Sequence, residues 1–470
     1  MRKVVNLAHF TLLKVVKFTI FILLKVEIYR IFFKGVFMLK RKMINRLIEW
    51  KNSPNKLALL VKGARQVGKT YIIREFGRTN YKNFIEINFE MQPSVKTAFE
   101  GDLDARTIIF NLSLMGLGNF EEGKTLIFFD EIQSCAQART AIKFLVEDGR
   151  FDYIESGSLL GIGLKDVSSY PVGFEEQVIM YPLDFEEFLW AKGIGADIIG
   201  RLKEAYLDIH AVDDFLHDRI MKIFREFLVV GGMPAAVMSF LENDDFSQTI
   251  KIQNSILDSY RDDISKYADR QKILAKKMFD AIPEQLSKKN KRFILADLEK
   301  GAAARKYENA SMWLTETGIA LNCFNVTALE SPLRFNEKRN LYKLYMLDTG
   351  LLCAQGMIGI QSGLLKGSIE INEGGITENA AAAELAKKNI PLYYYDKKGR
   401  AEIDFVFMEG SRLSIIEVKS GRNHKAHASL DHACAQSREK FARRIVLSRY
   451  NTETGANGIV YFPLYMAMFV

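Results

Sequence analysis

Residues 57–62, LALLVK, run without a break into GARQVGKT at 63–70 and then into YIIREFG. An apolar run suited to a buried strand, a glycine-punctuated loop and a segment of helical character leave the chain little freedom. They demand a strand–loop–helix unit built on a buried parallel strand. Gly63 and Gly68 let the backbone wrap closely around an anion. The successive N–H groups of Ala64, Arg65, Gln66 and Val67 then point inward, with a helix N-terminus behind them. In such a loop Lys69 neutralises the outer phosphates of a nucleoside triphosphate, and the Thr70 hydroxyl holds magnesium.

A second buried strand is expected in KTLIFFDEIQ at 124–133, with Asp130 and Glu131 at its C-terminal tip. Ligands of open α/β sheets bind at that edge, so Asp130 is the expected magnesium-side carboxylate. Glu131 is the expected general base that polarises the attacking water. A third strand in FDYIESGSLLG (151–161) brings Ser156 and Ser158 to the same edge. Ser156 either contacts the terminal phosphate or its water, or belongs to a turn that merely ends the strand.

The set LLVKGARQVGKTYIIREF, TLIFFDEIQ, IESGSLLG and YPLDFEEFL resembles the prokaryotic AAA-type ATPases that carry a C-terminal DUF4143 domain, over roughly residues 38 to 450. The resemblance implies an ATP-binding α/β core using ATP and Mg2+. The family's motif residues fall on Gly63, Gly68, Lys69, Thr70, Asp130 and Glu131. An Arg common in the family after the serine-rich strand tip is replaced here by GIGLKDVSSYPVG, where Lys165 is the nearby cation.

Composition narrows the setting. Four widely spaced cysteines without C-x-x-C pairs suggest a reduced, cytoplasmic protein with inert thiols. A net charge of +8 over 470 residues mildly favours acidic partners such as DNA. Residues 1–37 are apolar but interrupted by Lys14, Lys17, Lys25, Glu27, Arg30 and Lys34. The charge-free run Phe18 to Leu24 is far shorter than the roughly 20 residues that span a bilayer, so no stable transmembrane insertion is expected. This extension reads as a membrane-surface helix, a docking helix, or a stretch upstream of a start at Met38.

Residues 200–282 read as consecutive amphipathic helices, broken at VVGGMPAAV. The order of elements through 288–326 suggests a winged helix, and the resemblance supports it. AAARKYENASMWL would then be the helix available to a DNA major groove. Lys288, Lys289, Lys291, Arg292, Arg305 and Lys306 would form its basic face, unless the segment only packs between domains.

Toward the C-terminus, PLYYYDKKGRAEIDFVFMEGSRLSIIEVKSG gives three strands at hairpin spacing. Asp404 lies in mid-strand, where charge is costly, and Glu417 and Lys419 share one face of the next strand. Two converging carboxylates need a cation, which magnesium or manganese supplies through oxygen ligands. With Glu378 on the preceding helix, the set resembles the PD-(D/E)xK nuclease superfamily. That implies metal ligation by Glu378, Asp404 and Glu417, with Lys419 activating a water. The same residues could instead be a buried ion-pair network that no longer cuts. Gln436 could help place a phosphate, while His424, His427 and His432 are expected on exposed surface.

The expected fold is therefore an α/β multidomain chain. It comprises an N-terminal extension (1–37), a P-loop parallel-sheet ATPase core (38–195) and a helical segment (196–283). A winged-helix-like segment (284–340) and a C-terminal PD-(D/E)xK-like α/β module (341–470) follow. Assembly with further copies of the chain is compatible with this reading.

Overall fold

The computed structural model describes residues 39–158, 171–266, 270–299, 304–356, 363, 365, 373–397, 401–437, 440–455 and 458–470. The chain divides into two compact units, residues 1–40 and 41–470. The three readings of residues 1–37, and Lys165, lie outside the described residues; everything below concerns the second unit.

Helix α1 (Met43–Lys51), which buries Leu47 and Trp50, precedes the first strand. The core sheet has the order β2-β3-β4-β1-β5. Its strands are β1 (Ala58–Gly63), β2 (Asn83–Asn88), β3 (Thr125–Asp130), β4 (Asp152–Ser158) and β5 (Glu175–Ile179). All pair in parallel, which buries both faces and explains why β3 is apolar from Leu126 to Phe129 rather than alternating. Helices α2 (Lys69–Asn80), α3 (Ala105–Leu114) and α4 (Ala136–Asp148) form the crossovers. Strand β4 lies between β1 and β3, so the phosphate loop and Asp130 are separated by one strand. Register places Asn88 opposite Asp130, and Ser156 follows the pair Phe129–Glu155 by one residue, level with Asp130.

Helices α5 (Phe185–Ala191), α6 (Ala196–Leu207), α7 (Asp214–Val230), α8 (Pro234–Asn243), α9 (Phe246–Lys266) and α10 (Arg270–Ser287) follow the core sheet, α5 within the span expected for the ATPase core (38–195). A capping box, with Asp184 and Glu187 exchanging side-chain and backbone bonds, opens α5. Gly231 takes a left-handed φ of 71° between α7 and α8, the break expected at VVGGMP. Among the described residues no helix is long and apolar enough to cross a membrane.

The second sheet has eight strands in the order β12-β13-β11-β10-β9-β8-β6-β7. They are β6 (Ala320–Val326), β7 (Glu337–Met346), β8 (Tyr393–Asp396), β9 (Glu402–Glu409), β10 (Arg412–Lys419), β11 (Arg443–Ser448), β12 (Glu453–Thr454) and β13 (Ile459–Pro463). The three C-terminal strands expected at hairpin spacing are β8, β9 and β10, paired antiparallel. Helices α11 (Ala304–Glu316), α12 (Thr349–Gly356), α13 (Glu373–Lys387) and α14 (Ala428–Gln436) accompany them.

The boundary expected at 340/341 falls inside β7. The β6–β7 hairpin does follow α11, but β6 pairs with β8 and so extends the C-terminal sheet. The physical reason is burial: Tyr342 to Met346 are all buried, and such a strand needs a partner for its backbone. Helix α11 buries Tyr307, Ala310, Trp313 and Leu314. Its described exposed side chains are Glu308, Asn309, Met312 and Glu316, which offer no cation to a phosphate; those of Arg305 and Lys306 are outside the described set.

Candidate functional site

The loop after β1 has the shape its sequence demands. A Cβ at Gly63 would lie 2.3 Å from the Met180 carbonyl oxygen, so only glycine permits that approach. Gly68 has φ 96° and leads into α2, and Gln66 is also left-handed at φ 65°. Such alternation curls successive N–H groups into a concave anion-binding nest. Lys69 is buried. Its Nζ donates to the carbonyl oxygens of Gly63 and Ala64, each at 3.0 Å. Burial lowers its pKa to about 8, while the charges of Glu131 and Asp130 oppose that shift. The ammonium thus sits at the mouth of the loop with no carboxylate in direct contact among the described residues.

Asp130 collects three donors. Thr70 Oγ1 lies 3.2 and 3.3 Å from its two carboxylate oxygens, Asn88 Nδ2 donates at 2.9 Å, and Ser156 Oγ donates to Oδ1. Ser156 is fully buried within β4 and spends its hydroxyl on Asp130. It is thus neither a terminal turn residue nor, in this arrangement, aimed at the phosphate position. Sequence reading missed Asn88, although a polar residue ending the IEIN strand was a usable signal. Glu131 is half-buried and left-handed at φ 53°. Its Oε2 accepts from Gln133 Nε2. Burial, with help from Asp130, pushes its carboxyl above the usual range, against the Gln133 bond and Lys69.

The loop is also held from outside. Arg41 Nη1 donates to the Val67 carbonyl at 3.0 Å, and its Nε pairs with Glu187 at 3.1 Å. From α9, the Tyr260 hydroxyl donates to the Arg65 carbonyl at 3.0 Å, and Asp263 pairs with the Arg65 guanidinium at 3.0 Å. Gln66 Nε2 reaches Ser259 at 3.2 Å. The same helix presents Gln253, whose amide donates to the Val229 and Val230 carbonyls. Close by, Gly232 N–H donates to the buried Asp348 at 2.6 Å, just before α12. Helix α9 therefore bonds the loop near its C-terminal end and the α7–α8 junction through Gln253, and that junction bonds Asp348 through Gly232.

In that module the expected residues are arranged differently from expectation. Glu378, Asp404 and Glu417 do not gather around one open point. The ammonium of Lys343, on β7 and fully buried, lies between Glu378 at 2.8 Å, Asp404 at 3.3 Å and Glu402 at 3.1 Å. Lys291 takes the other Glu378 oxygen at 2.6 Å, and Tyr345 donates its hydroxyl to the first. The second Asp404 oxygen accepts from Val418 N–H at 2.9 Å. Burial alone would raise Glu378, but Lys291 and Lys343 pull it down to about 2. Asp404 is pushed up to about 6 by burial and by Glu378.

Glu417 pairs instead with Lys419 at 2.5 Å, and its Oε2 is buried without a hydrogen bond among the described residues. Among the described residues no group of three or more acidic, histidine or cysteine side chains is placed to hold a metal ion. The physical reason is that lysines already balance these carboxylates. Lys343 itself carried a legible signal, a charge inside the apolar strand LYKLYM. His427 is less exposed than expected, bonded to Asp431 at 2.9 Å and to the Tyr461 hydroxyl at 2.7 Å. The Gln436 side chain is outside the described set.

Comparison with protein-family models matches residues 55–189 to an AAA domain, 221–362 to a domain of unknown function (DUF8612) and 373–466 to a domain of unknown function (DUF4143). The chain thus carries an AAA domain and a DUF4143 domain. The uncharacterized protein MJ1544 of Methanocaldococcus jannaschii is 26% identical over 390 residues, covering 81% of this chain and 78% of that protein. Among solved structures, the Aeropyrum pernix ORC1 protein in complex with DNA is similar at 12% identity and a TM-score of 0.26, over 69% of this chain and 91% of that one. PCH-2 of C. elegans is similar at 13% identity and a TM-score of 0.23, over 42% and 58%. At these scores no property of either structure is carried over.

Proposed function

We propose that this chain binds ATP with Mg2+ at the loop Gly63–Thr70 and hydrolyses it, using nucleotide state to control binding of DNA or protein by the C-terminal module. The observation that carries the reading is the ammonium of Lys69. It is buried at the mouth of a left-handed backbone nest and, among the described residues, bonded only to loop carbonyls. A buried cation held this way gains from an anion that supplies its counter-charge. The donor set fits the nucleotide. The N–H groups of Ala64, Arg65, Gln66, Val67 and Gly68 cradle phosphate, and the oxygens of Thr70 and Asp130 suit magnesium. Bound ATP supplies the phosphoanhydride bond. Asn88 and Ser156 hold Asp130 in place, and Glu131 takes the proton of the attacking water.

The test is binding of a fluorescent ATP analogue and release of phosphate by wild type, Lys69→Ala and Glu131→Gln. Lys69→Ala should lose binding. Glu131→Gln should bind normally and hydrolyse at least about a hundredfold more slowly. Binding untouched by Lys69→Ala would end the reading.

For the C-terminal module, the helix–strand–strand order that carries Glu378, Asp404 and Glu417 supports a nuclease-like fold. Lys343 favours a module that binds without cutting. Its ammonium stands between the carboxylates where a divalent cation would have to go. Plasmid DNA incubated with manganese should stay uncut by wild type, Asp404→Ala and Lys419→Ala alike. Nicking by wild type that both substitutions abolish would restore the nuclease reading.

A further inference from the structure

Helix α9 lies outside the core sheet, yet its last turns grip the loop at 63–70. Ser259 accepts from Gln66 Nε2 at 3.2 Å, and the buried Tyr260 donates its hydroxyl to the Arg65 carbonyl at 3.0 Å. Asp263, one turn on, pairs with the Arg65 guanidinium at 3.0 Å. The Tyr260 bond fixes the backbone of Arg65 and leaves its side chain free to pivot. That side chain is 42% exposed, and this one ion pair is what holds it among the described residues. Arg65 and Lys69 are the two cations of GARQVGKT, and the charge of Arg65 acts on the buried Lys69 ammonium. Asp263 in turn is acted on by Glu90, the acid after β2 that also acts on Glu131. The Arg65–Asp263 pair therefore stands at the same edge of the sheet as Lys69, Asp130 and Glu131.

We infer that α9 is the nucleotide sensor of this chain: Asp263 and a bound triphosphate compete for the Arg65 guanidinium, so that filling the loop takes the counter-charge from α9 and loosens this end of the helix. The inference rests on the reading of the loop as an ATP site, and it names how that site acts on the rest of the chain. A guanidinium matches phosphate oxygens with two parallel donors. A triphosphate carries several negative charges, whereas the competing pair is partly exposed and weak. Once Arg65 turns to phosphate, Asp263 is a carboxylate with only 13% of its side chain exposed. Asp262 and Glu90 add negative charge around it, and Lys266 is the remaining cation that acts on it. Such a position is unfavourable for an unpaired charge, so the turn that carries Asp263 gives way. The other half of α9 is held independently, by Gln253 on the Val229 and Val230 carbonyls, which confines the loosening to residues 259–266.

Coupling between sites is reciprocal, so the competition can be read from either side. On the full chain, affinity for the fluorescent ATP analogue is measured for wild type, Arg65→Gln, Asp263→Asn and the double variant. Arg65→Gln should weaken binding about tenfold. Asp263→Asn should tighten it about fivefold by freeing Arg65, but should change it less than about twofold when Arg65 is already Gln. Arg65→Lys keeps the charge and guards against a folding defect; it should bind more tightly than Arg65→Gln. From the other side, hydrogen exchange of residues 259–266 should quicken severalfold when the analogue saturates wild type, and stay level in saturated Arg65→Gln. Exchange around Gln253 should stay level in both. Independent effects of the two substitutions on affinity, equal losses in Arg65→Lys and Arg65→Gln, or unchanged or slower exchange at 259–266 in saturated wild type would each overturn the inference. Failure of the underlying reading looks different: the analogue would bind Lys69→Ala as well as wild type.

Discussion

Two buried lysines, Lys69 and Lys343, sit in this molecule under opposite electrostatic conditions. Lys69 bonds to two backbone carbonyls, and burial drives its pKa down to about 8. Lys343 touches three carboxylates, and although burial works against it, Glu378 and Asp404 hold its pKa well above the usual lysine value. One positive charge is left for a ligand to balance; the other is balanced by the chain itself. A buried charge therefore marks a binding site when its counter-charge is missing, and a structural element when it is present.

Substitutions can break this contrast. The largest effect is expected at Lys343→Met, which leaves Glu378 buried with Lys291 alone and Asp404 buried without its main cation. It should cost about 3–5 kcal/mol of folding stability, read from urea denaturation. Next, Lys69→Met should weaken ATP binding about a hundredfold through lost charge-assisted hydrogen bonds, while the melting temperature without nucleotide stays level or rises. A smaller, pH-dependent effect belongs to Glu378. Its folded pKa of about 2 lies below its ordinary 4.5. It contributes stability that is fully present above about pH 4.5 and is lost as pH falls toward 2. The gap in urea midpoint between wild type and Glu378→Gln should close across that window. Asp404, raised to about 6, has the opposite sign and favours folding least above pH 6. The smallest effect is at Asp263→Asn. It breaks a partly exposed pair with Arg65 and should change stability by less than about 1 kcal/mol.

The geometry of the loop at 63–70 could be read from sequence because its constraints are local. Gly63, Gly68, Lys69 and Thr70 lie within eight residues, and backbone geometry dictates their types. Asp130 was legible as the polar end of an apolar strand. Asn88 and Ser156 were not assignable to it, because their contact depends on strand order and register, which neighbouring residues do not reveal. The C-terminal set was legible as a list of costly charges, and Asp404, Glu417 and Lys419 all stood out from their strands. What misled was the choice of partner. Lys343 lies within the segment assigned to the C-terminal module, but the pairing of β7 with β6, and of β6 with β8, that brings its ammonium to Glu378 and Asp404 was not legible, so an external cation appeared necessary. Buried Glu155 was hidden for the same reason, since the cation that neutralises it, Arg139, is on α4.

The contrast between the two lysines is tested most directly by electron paramagnetic resonance of Mn2+ added to the protein with and without ATP. Bound Mn2+ should appear only when ATP is present, and should vanish in Lys69→Met. Mn2+ bound without nucleotide and released by Asp404→Asn would contradict the account, since the C-terminal carboxylates would then be open to a metal that Lys343 is held to exclude.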